Sequence, residues 1–332
     1  MPWVIDIHTH MWDYTWLPEP HKMGMAIRAA RRRRPPVDPM TIRPRVGHGF
    51  MDPTGNLNVK ILDRLGMDMG VIQVVDWGIG YGVEADATIE EINAGTAQAV
   101  RNHPDRLMWF CGIDPRRPGA AEKFERWVKE DGAKGFKLYP PMGFYPWEDC
   151  VRPIIEKAIE LDVPILSHTQ AGVSWCEPIH WGQVCRQYPS LKVILGHAGV
   201  ESPFFSTYGW EQAVIVAARY EHVYLDPTEW HLWGALKDVP ELIRRFHVMK
   251  SHVGAEKIVN GTDNPLGRDG ADNGDGEWMF ILRNLPTIGR WFGYTFTQED
   301  VDLILGENAA RLLKLPPKEQ MKAAPAVTTA AV

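Results

Sequence analysis

The chain begins with a short stretch, VIDIHTH (residues 4–10), in which an apolar run ends in two histidines separated by one residue. Successive side chains of a strand point to opposite faces, so His8 and His10 are predicted to project the same way. Imidazole is the commonest metal ligand among side chains, although most histidines bind nothing. The spacing therefore predicts two ligands for one metal ion, with a pair of ordinary histidines as the alternative.

Three later apolar runs also end in ionisable side chains. The runs VPILSHTQ, LKVILGHAG and KIVNGTDNP end at His168, His197 and Asp263. If these runs are parallel strands of a barrel, their C-terminal ends meet at one mouth, where barrel enzymes place their chemistry. Together with the two N-terminal histidines, these residues predict a metal centre at that mouth.

The types of these side chains indicate which metal would bind. Imidazoles and a carboxylate without thiolates suit one divalent metal ion, and Zn²⁺ is predicted first, with Mn²⁺, Fe²⁺ or Co²⁺ as alternatives. A site built from strand ends leaves a coordination position open to water or substrate, and bound water there would have its pKa lowered towards about 7. This arrangement is typical of a catalytic metal site.

The elements that must hold these residues are short apolar runs alternating with helical segments. Continuous apolar strands with intervening helices indicate parallel pairing buried on both faces. We predict a (β/α)8 TIM barrel, since the open doubly wound alternative would need a glycine-rich fingerprint that does not follow the first strand. The eight runs are residues 3–7, 71–75, 107–111, 135–138, 164–166, 192–195, 223–225 and 257–259.

Two further segments complete the predicted domain. Residues 11–58 are too long for an ordinary connection and are predicted to be an insertion after the first strand. The segment VDLILGENAARLLKL is predicted to form a closing C-terminal helix. We expect one domain over residues 1–315 and a flexible tail over residues 316–332. The side chains of the tail are small, and its sequence shows no hydrophobic periodicity.

Composition narrows the class of protein. The 332 residues include 45% hydrophobic residues and carry a net charge of -6, which favours a globular enzyme and argues against a general nucleic-acid binder. No apolar run is long enough for a membrane span, and no signal peptide is recognisable. The four cysteines lack metal or redox spacing, which indicates a reducing, cytoplasmic location.

The stretches IDIHTH, GFKLYPP, ILSHTQ, VILGHAG, GTDNP and GENAARLL, spread over nearly the whole chain, resemble the amidohydrolase superfamily. Within it, they are similar to the amidohydrolase-related branch that includes aminocarboxymuconate-semialdehyde decarboxylase. The resemblance implies that His8, His10, His168 and Asp263 bind the metal. It also implies that His197 stays off the metal as general acid/base, and that Asp263 exchanges a proton as well.

Two departures bear on the reaction. Many hydroxybenzoate decarboxylases of this branch begin with Glu-x-His, whereas this chain has His-x-His, which weakens that assignment. Lys137 ends the fourth strand, where two-metal members carry a carbamylated lysine. We expect one metal, with Lys137 as a substrate-facing or structural cation.

Several residues just after strands are candidates for substrate binding. Tyr139, Trp175 and Trp230 are plausible walls for a planar substrate, and Arg268 for a substrate carboxylate. Asp226, at the end of the seventh strand, is expected to orient a histidine ligand.

The predicted function is a metal-dependent hydrolase that attacks a C=O-containing, planar or carboxylated small molecule. The alternative is a non-oxidative decarboxylase of an aromatic or enoic acid, which would use the same ligands. The third hypothesis is a barrel that has lost catalysis. It predicts that a metal ligand is missing, whereas the sequence contains all four. The resemblance implies a homodimer or a higher homo-oligomer, with neither nucleic acid nor membrane as a partner.

Overall fold

The computed structural model describes residues 1–201, 209–230, 238–265 and 268–323, without the side chains of residues 201, 268 and 321–323. Its framework is a parallel sheet in which each strand pairs with the next along the chain. All of these pairs are parallel, as predicted for strands separated by helices. The strands are β1 (Ile5–Thr9), β2 (Met69–Gln73), β3 (Leu107–Gly112), β4 (Phe136–Leu138), β5 (Ile165–Ala171), β6 (Val193–Glu201) and β7 (Val223–Asp226).

The eighth predicted strand closes the barrel through a few hydrogen bonds. Ile258 forms a single parallel bridge with Leu225 of β7. On the other side, Ile7 N–H donates to the Asn260 carbonyl at 2.9 Å, and Asp263 N–H donates to the His8 carbonyl at 2.7 Å. Residues 258–263 therefore lie between β7 and β1, and the predicted TIM barrel is confirmed.

Helices follow the strands and cover the outside of the barrel. The segment between β1 and β2 holds α1 and α2, which lie in the predicted insertion. The helices are α1 (Glu19–Arg32), α2 (Pro39–Ile42), α3 (Asn56–Leu65), α4 (Gly78–Tyr81), α5 (Ile89–Asn102), α6 (Ala120–Lys129), α7 (Arg152–Glu160), α8 (His180–Gln187), α9 (Gly209–Arg219), α10 (Val239–Val253), α11 (Asp275–Arg283), α12 (Leu285–Trp291), α13 (Gln298–Asp302), α14 (Asn308–Leu312) and α15 (Lys318–Ala323).

The predicted closing helix forms as α13 and α14, which are joined by a π-helical turn over Leu303–Glu307. Part of the predicted tail is helical, because α15 forms there and Lys318 pairs with Asp68 at 2.5 Å. Residues 324–332 of that tail lie outside the described residues. Within the described residues, no helix combines the length and apolar character that crossing a membrane requires.

Apolar side chains fill the barrel interior away from the mouth. Ile5 and Ile7 of β1 meet Phe110 of β3 there, and all three are fully buried. Helix α14 packs on this cluster through residues such as Leu312. The N-terminal ends of the strands are thus covered by a helix, which leaves the opposite end for the ionisable side chains. We call this cluster, with α14, the closed end.

Candidate active site

The two N-terminal histidines owe their position to an irregularity in β1. The pairing of β1 with β2 shifts register between Asp6 and Thr9. Ile5 and Ile7 contribute to the apolar interior, yet His8 follows Ile7 directly and still reaches the mouth. The rings of His8 and His10 lie 5.4 Å apart, so they are neighbours as predicted.

The remaining predicted residues come from β5, β6 and residues 258–263. The His197 ring lies 4.5 Å from that of His168 and 4.7 Å from that of His8. His197 and Asp263 both have left-handed backbone, with φ of 63° and 60°. Such backbone is unfavourable for residues with a Cβ and clusters at functional sites. In this chain it occurs within β6 at His197, which is not the end of the strand as predicted, and in residues 258–263 at Asp263.

These side chains converge tightly enough to hold a metal ion. One ligand atom each from His8, His197 and Asp263 lie within 4.8 Å of one another. His10 Nε2 is 3.2 Å from Asp263 Oδ1, and His168 joins the group through its contact with the His197 ring. All five predicted residues therefore surround one centre, although the tightest group contains His197 rather than His10 or His168.

Hydrogen bonds determine which nitrogen of each N-terminal histidine faces the centre. His8 Nδ1–H donates to Asp226 Oδ2 at 2.6 Å, which is the contact that the predicted orienting role of Asp226 requires. His10 Nδ1–H donates to the Gln73 carbonyl at 2.8 Å. Both Nε2 atoms then carry no hydrogen and lie 3.5 and 3.2 Å from Asp263 Oδ1. Acceptors that converge in this way suit a cation between them, so the donor set fits a divalent metal.

Burial sets the protonation of the group. Desolvation lowers the pKa of His10 and His168 to about 3, and lowers that of His8 and His197 well below its usual value. The rings are therefore neutral at pH 7, the form that binds metals. Desolvation also raises the pKa of Asp263 to about 6, while the nearby Lys137 ammonium opposes this shift.

Lys137 extends from β4 into the same centre. Its Nζ donates to His8 Nε2 at 2.7 Å, and the residue is 2% exposed. Desolvation lowers its pKa to about 8, opposed by the charge of Asp263. The ammonium thus occupies the His8 Nε2 lone pair that a metal would need, so a metal bound to His8 would have to displace it. The number of metals and the role of Lys137 stay predictions.

Comparison with known proteins places the chain in a family. A family model described as amidohydrolase matches residues 5–315. The chain belongs to this amidohydrolase family. No curated protein sequence matches it.

Solved structures share the fold of this chain at low sequence identity. The first is 5-carboxyvanillate decarboxylase from Sphingomonas paucimobilis, with 14% identity, a TM-score of 0.61, and coverage of 95% of this chain and 100% of that one. A dihydroxybenzoic acid decarboxylase from Polaromonas sp. JS666, solved with manganese and the inhibitor 2-nitroresorcinol, has 18% identity, a TM-score of 0.60, and coverage of 96% and 99%. A probable 2-pyrone-4,6-dicarboxylic acid hydrolase from Acinetobacter baumannii, with citric acid bound, has 15% identity, a TM-score of 0.61, and coverage of 94% and 99%.

The predicted substrate residues of this chain fall in different places. The Tyr139 ring lies 5.0 Å from the His168 ring, at the centre. Trp230 is instead buried against Trp210 and Phe246, and its indole N–H donates to the His197 carbonyl at 2.8 Å. It therefore supports the end of β6 rather than lining the mouth.

The other two predicted substrate residues, Trp175 and Arg268, are not seen in contact with the metal donors in the part of the chain that the structure describes. Trp175 lies in a 3-10 turn after β5 and is 37% exposed, on the surface. The side chain of Arg268 lies outside the described part of the chain, so its predicted contact with a substrate carboxylate stays a prediction.

Three residues at the mouth were not predicted as site residues. Trp12 stacks on His10 with ring centroids 4.9 Å apart, and Trp77 lies 4.9 Å from the Tyr139 ring. Glu229 Oε2 is 3.5 Å from His197 Nδ1, and its side chain hydrogen-bonds Asp263. The signal for Glu229 was its place three residues after Asp226, beyond the end of β7.

Proposed function

We propose that this amidohydrolase is a divalent-metal-dependent, non-oxidative decarboxylase of an aromatic acid. The observation that carries the proposal is the convergence of His8, His197 and Asp263 beside a wall of aromatic rings. The decarboxylases of similar fold support it, since they act on hydroxylated aromatic acids and one was solved with manganese. Of the metals predicted from the ligand types, Mn²⁺ is therefore the first to test, followed by Zn²⁺.

The aromatic side chains around the site favour a planar substrate. Trp12 stacks on His10, and Tyr139 packs edge-on to His168, so flat aromatic surfaces flank the ionisable centre. A planar ring fits between such surfaces because aromatic pairs gain both burial and favourable ring geometry. A carboxylate on that ring would point at the cation site.

The residues of the site would have separate roles in metal binding and proton transfer. His8, His10, His168 and Asp263 would hold the metal, which supplies positive charge for the substrate carboxylate and a neighbouring oxygen. The bond between the ring carbon and the carboxyl carbon breaks, its electron pair stays on the ring carbon, and CO₂ leaves. A proton then bonds to that carbon. Because the His197 ring is neutral at pH 7, it would act as a relay that accepts this proton from water or from the carboxyl group of Glu229 and passes it on. The reaction needs no oxidant or reductant.

The proposal is tested by following the carboxyl carbon and the proton. The manganese-loaded full chain is incubated in D₂O with carboxyl-labelled 2-hydroxybenzoates bearing varied ring substituents. We expect labelled CO₂ and one deuterium on the ring carbon that lost it. The Asp263→Asn variant, prepared in parallel, should release no label above background. Release of no label from any member of the panel would contradict the proposal.

Hydrolysis is the second candidate, because the probable 2-pyrone-4,6-dicarboxylic acid hydrolase shares the fold. It uses the same donors, so product analysis must separate the two reactions. Pyrone lactones are incubated in H₂¹⁸O, and incorporation of ¹⁸O into a ring-opened product without CO₂ release would favour hydrolysis. We expect no such product.

A further inference from the structure

The loop after β2 carries a tryptophan whose polar atom is left unsatisfied. Trp77 is 8% exposed, and its indole nitrogen is buried without a hydrogen-bond partner among the residues that the structure describes. Buried indole N–H groups almost always find an acceptor, and an unpaired one costs free energy. The exception calls for a specific explanation, and a ligand that supplies the acceptor is one.

Trp77 lies within the aromatic wall that adjoins the metal donors. Two of its neighbours contact proposed metal ligands directly, since Trp12 stacks on His10 and Tyr139 packs against His168. A ring bound at the centre would thus reach the surroundings of Trp77. Its four neighbouring rings are Tyr139 at 4.9 Å, His21 at 4.3 Å, Tyr81 at 6.0 Å and Trp12 at 6.2 Å.

The backbone beside Trp77 is held rigidly. The preceding residue, Asp76, accepts hydrogen bonds from Gly78 N–H at 3.3 Å and from Asp114 N–H at 2.9 Å. Arg117 binds the same carboxylate through two nitrogens, at 2.6 and 2.9 Å. The loop is thereby fixed to the segment that follows β3, so the indole is held in place before a ligand arrives, which favours selective binding.

The surroundings favour an acceptor without charge. Burial lowers the pKa of His21 to about 4 and raises that of Tyr139 well above its usual value, so both rings are neutral at pH 7. Arg117 is already paired with Asp76 and with Glu84. The charge of Arg28 acts on His21 and Tyr81, whereas Tyr139 is influenced by the carboxylates of Asp263 and Glu229. A carboxylate on the Tyr139 side of Trp77 would therefore lose its hydration and face like charges. A neutral ether, hydroxyl or carbonyl oxygen would lose far less.

We propose that the Trp77 indole N–H determines specificity by donating a hydrogen bond to an uncharged oxygen substituent on the substrate ring. The substrate class is then an aromatic acid with one carboxylate at the metal centre and a neutral oxygen acceptor elsewhere on the ring. This inference rests on the proposed function, because it takes the ligand to be an aromatic acid.

Binding measurements test the hydrogen bond without turnover. The probes are 2-nitrophenols, in which a nitro group replaces the carboxylate and cannot leave as CO₂. Each probe carries a single methoxy group at one ring position and is paired with its ethyl analogue of similar size. Calorimetry on the manganese-loaded full chain compares wild type, Trp77→Phe and the matched wall variant Trp12→Phe. In wild type, we expect one methoxy isomer to bind about tenfold more tightly than its ethyl partner.

The variants separate the hydrogen bond from the shape of the wall. In Trp77→Phe the preference for methoxy should disappear, while binding of the ethyl analogue changes by less than about threefold and shows that the site is still formed. In Trp12→Phe the preference should persist. An unchanged preference in Trp77→Phe, or the absence of any methoxy preference in wild type, would overturn the inference.

Failure of the inference can be told apart from failure of the proposed function. If the wild-type enzyme releases CO₂ from aromatic acids but shows no methoxy preference, only the role of Trp77 is wrong. If none of the probes binds and no aromatic acid is decarboxylated, the aromatic-acid function itself fails, and the role of Trp77 falls with it.

Discussion

The two ends of the barrel are built from the same strands but from opposite chemistry. At the closed end, β1 buries Ile5 and Ile7 against Phe110, and α14 covers them. At the mouth, the same strand buries His8 beside Lys137. The comparison shows that burial alone does not identify a stabilising region, because equally buried side chains have opposite effects on folding at the two ends.

Buried apolar and buried ionisable side chains contribute to the free energy of folding with opposite signs. A buried aliphatic or aromatic side chain stabilises the fold by about 1.5–3 kcal/mol relative to its exposed state. A buried ionisable group is unfavourable unless it is paired, and it shifts its pKa instead. Burial raises the pKa of Asp226 to about 7 and lowers that of His10 to about 3, so the mouth strongly disfavours their charged forms. We therefore expect substitutions at the mouth to change chemistry, and those at the closed end to change stability.

The largest expected effect is the loss of metal at the mouth. His10→Ala removes a proposed ligand, so metal retention and activity should fall together, activity on the order of a thousandfold. The measurements are metal content after gel filtration and the rate of CO₂ release. His252→Ala, an exposed histidine on α10, is the matched control and should keep both.

The His197→Ala variant tests whether His197 is a metal ligand. The resemblance implies that His197 stays off the metal, whereas its ligand atom lies in the tightest group with His8 and Asp263. We expect this variant to keep the metal and lose turnover. If it loses the metal as His10→Ala does, His197 is a ligand and the proposed division of roles is wrong.

At the closed end, a substitution should weaken folding and leave the chemistry intact. Leu312 of α14 is 4% exposed within the apolar cluster. Leu312→Ala should lower the free energy of unfolding by about 2–5 kcal/mol, because it removes buried contacts and leaves a cavity. Urea unfolding measures this change, and metal content and kcat per folded enzyme should match wild type. Loss of the metal without loss of stability would break the distinction between the two ends.

The sequence predicted the barrel and the five residues at its mouth because strand ends follow from apolar runs. It did not predict how those residues turn inward. His8 depends on the register shift in β1, and His197 and Asp263 depend on left-handed backbone. The placement of Trp230 in the core and of Trp77 at the mouth also depends on packing between distant segments. Periodicity within a single strand carries no information on such contacts.

The smallest expected effect concerns Asp226, which would act on the metal through His8. Asp226 Oδ2 accepts the hydrogen bond from His8 Nδ1–H and thereby directs Nε2 to the centre. Asp226→Asn keeps the size of the side chain but removes the charge that favours this orientation. The affinity for Mn²⁺ should therefore fall by about 10–100-fold, as is typical for residues that orient metal ligands.

The stability of the same variant completes the contrast with Leu312→Ala. Because desolvation disfavours the ionised carboxyl of Asp226, a neutral amide should not lower the free energy of unfolding of the metal-free protein at pH 8. Chelator competition gives the affinity and urea unfolding gives the stability. The control is Asp149→Asn, an exposed carboxylate with 89% side-chain exposure, which should alter neither. An unchanged Mn²⁺ affinity in Asp226→Asn would show that the mouth does not depend on the orientation of His8, and that its ligands are set by the strand ends alone.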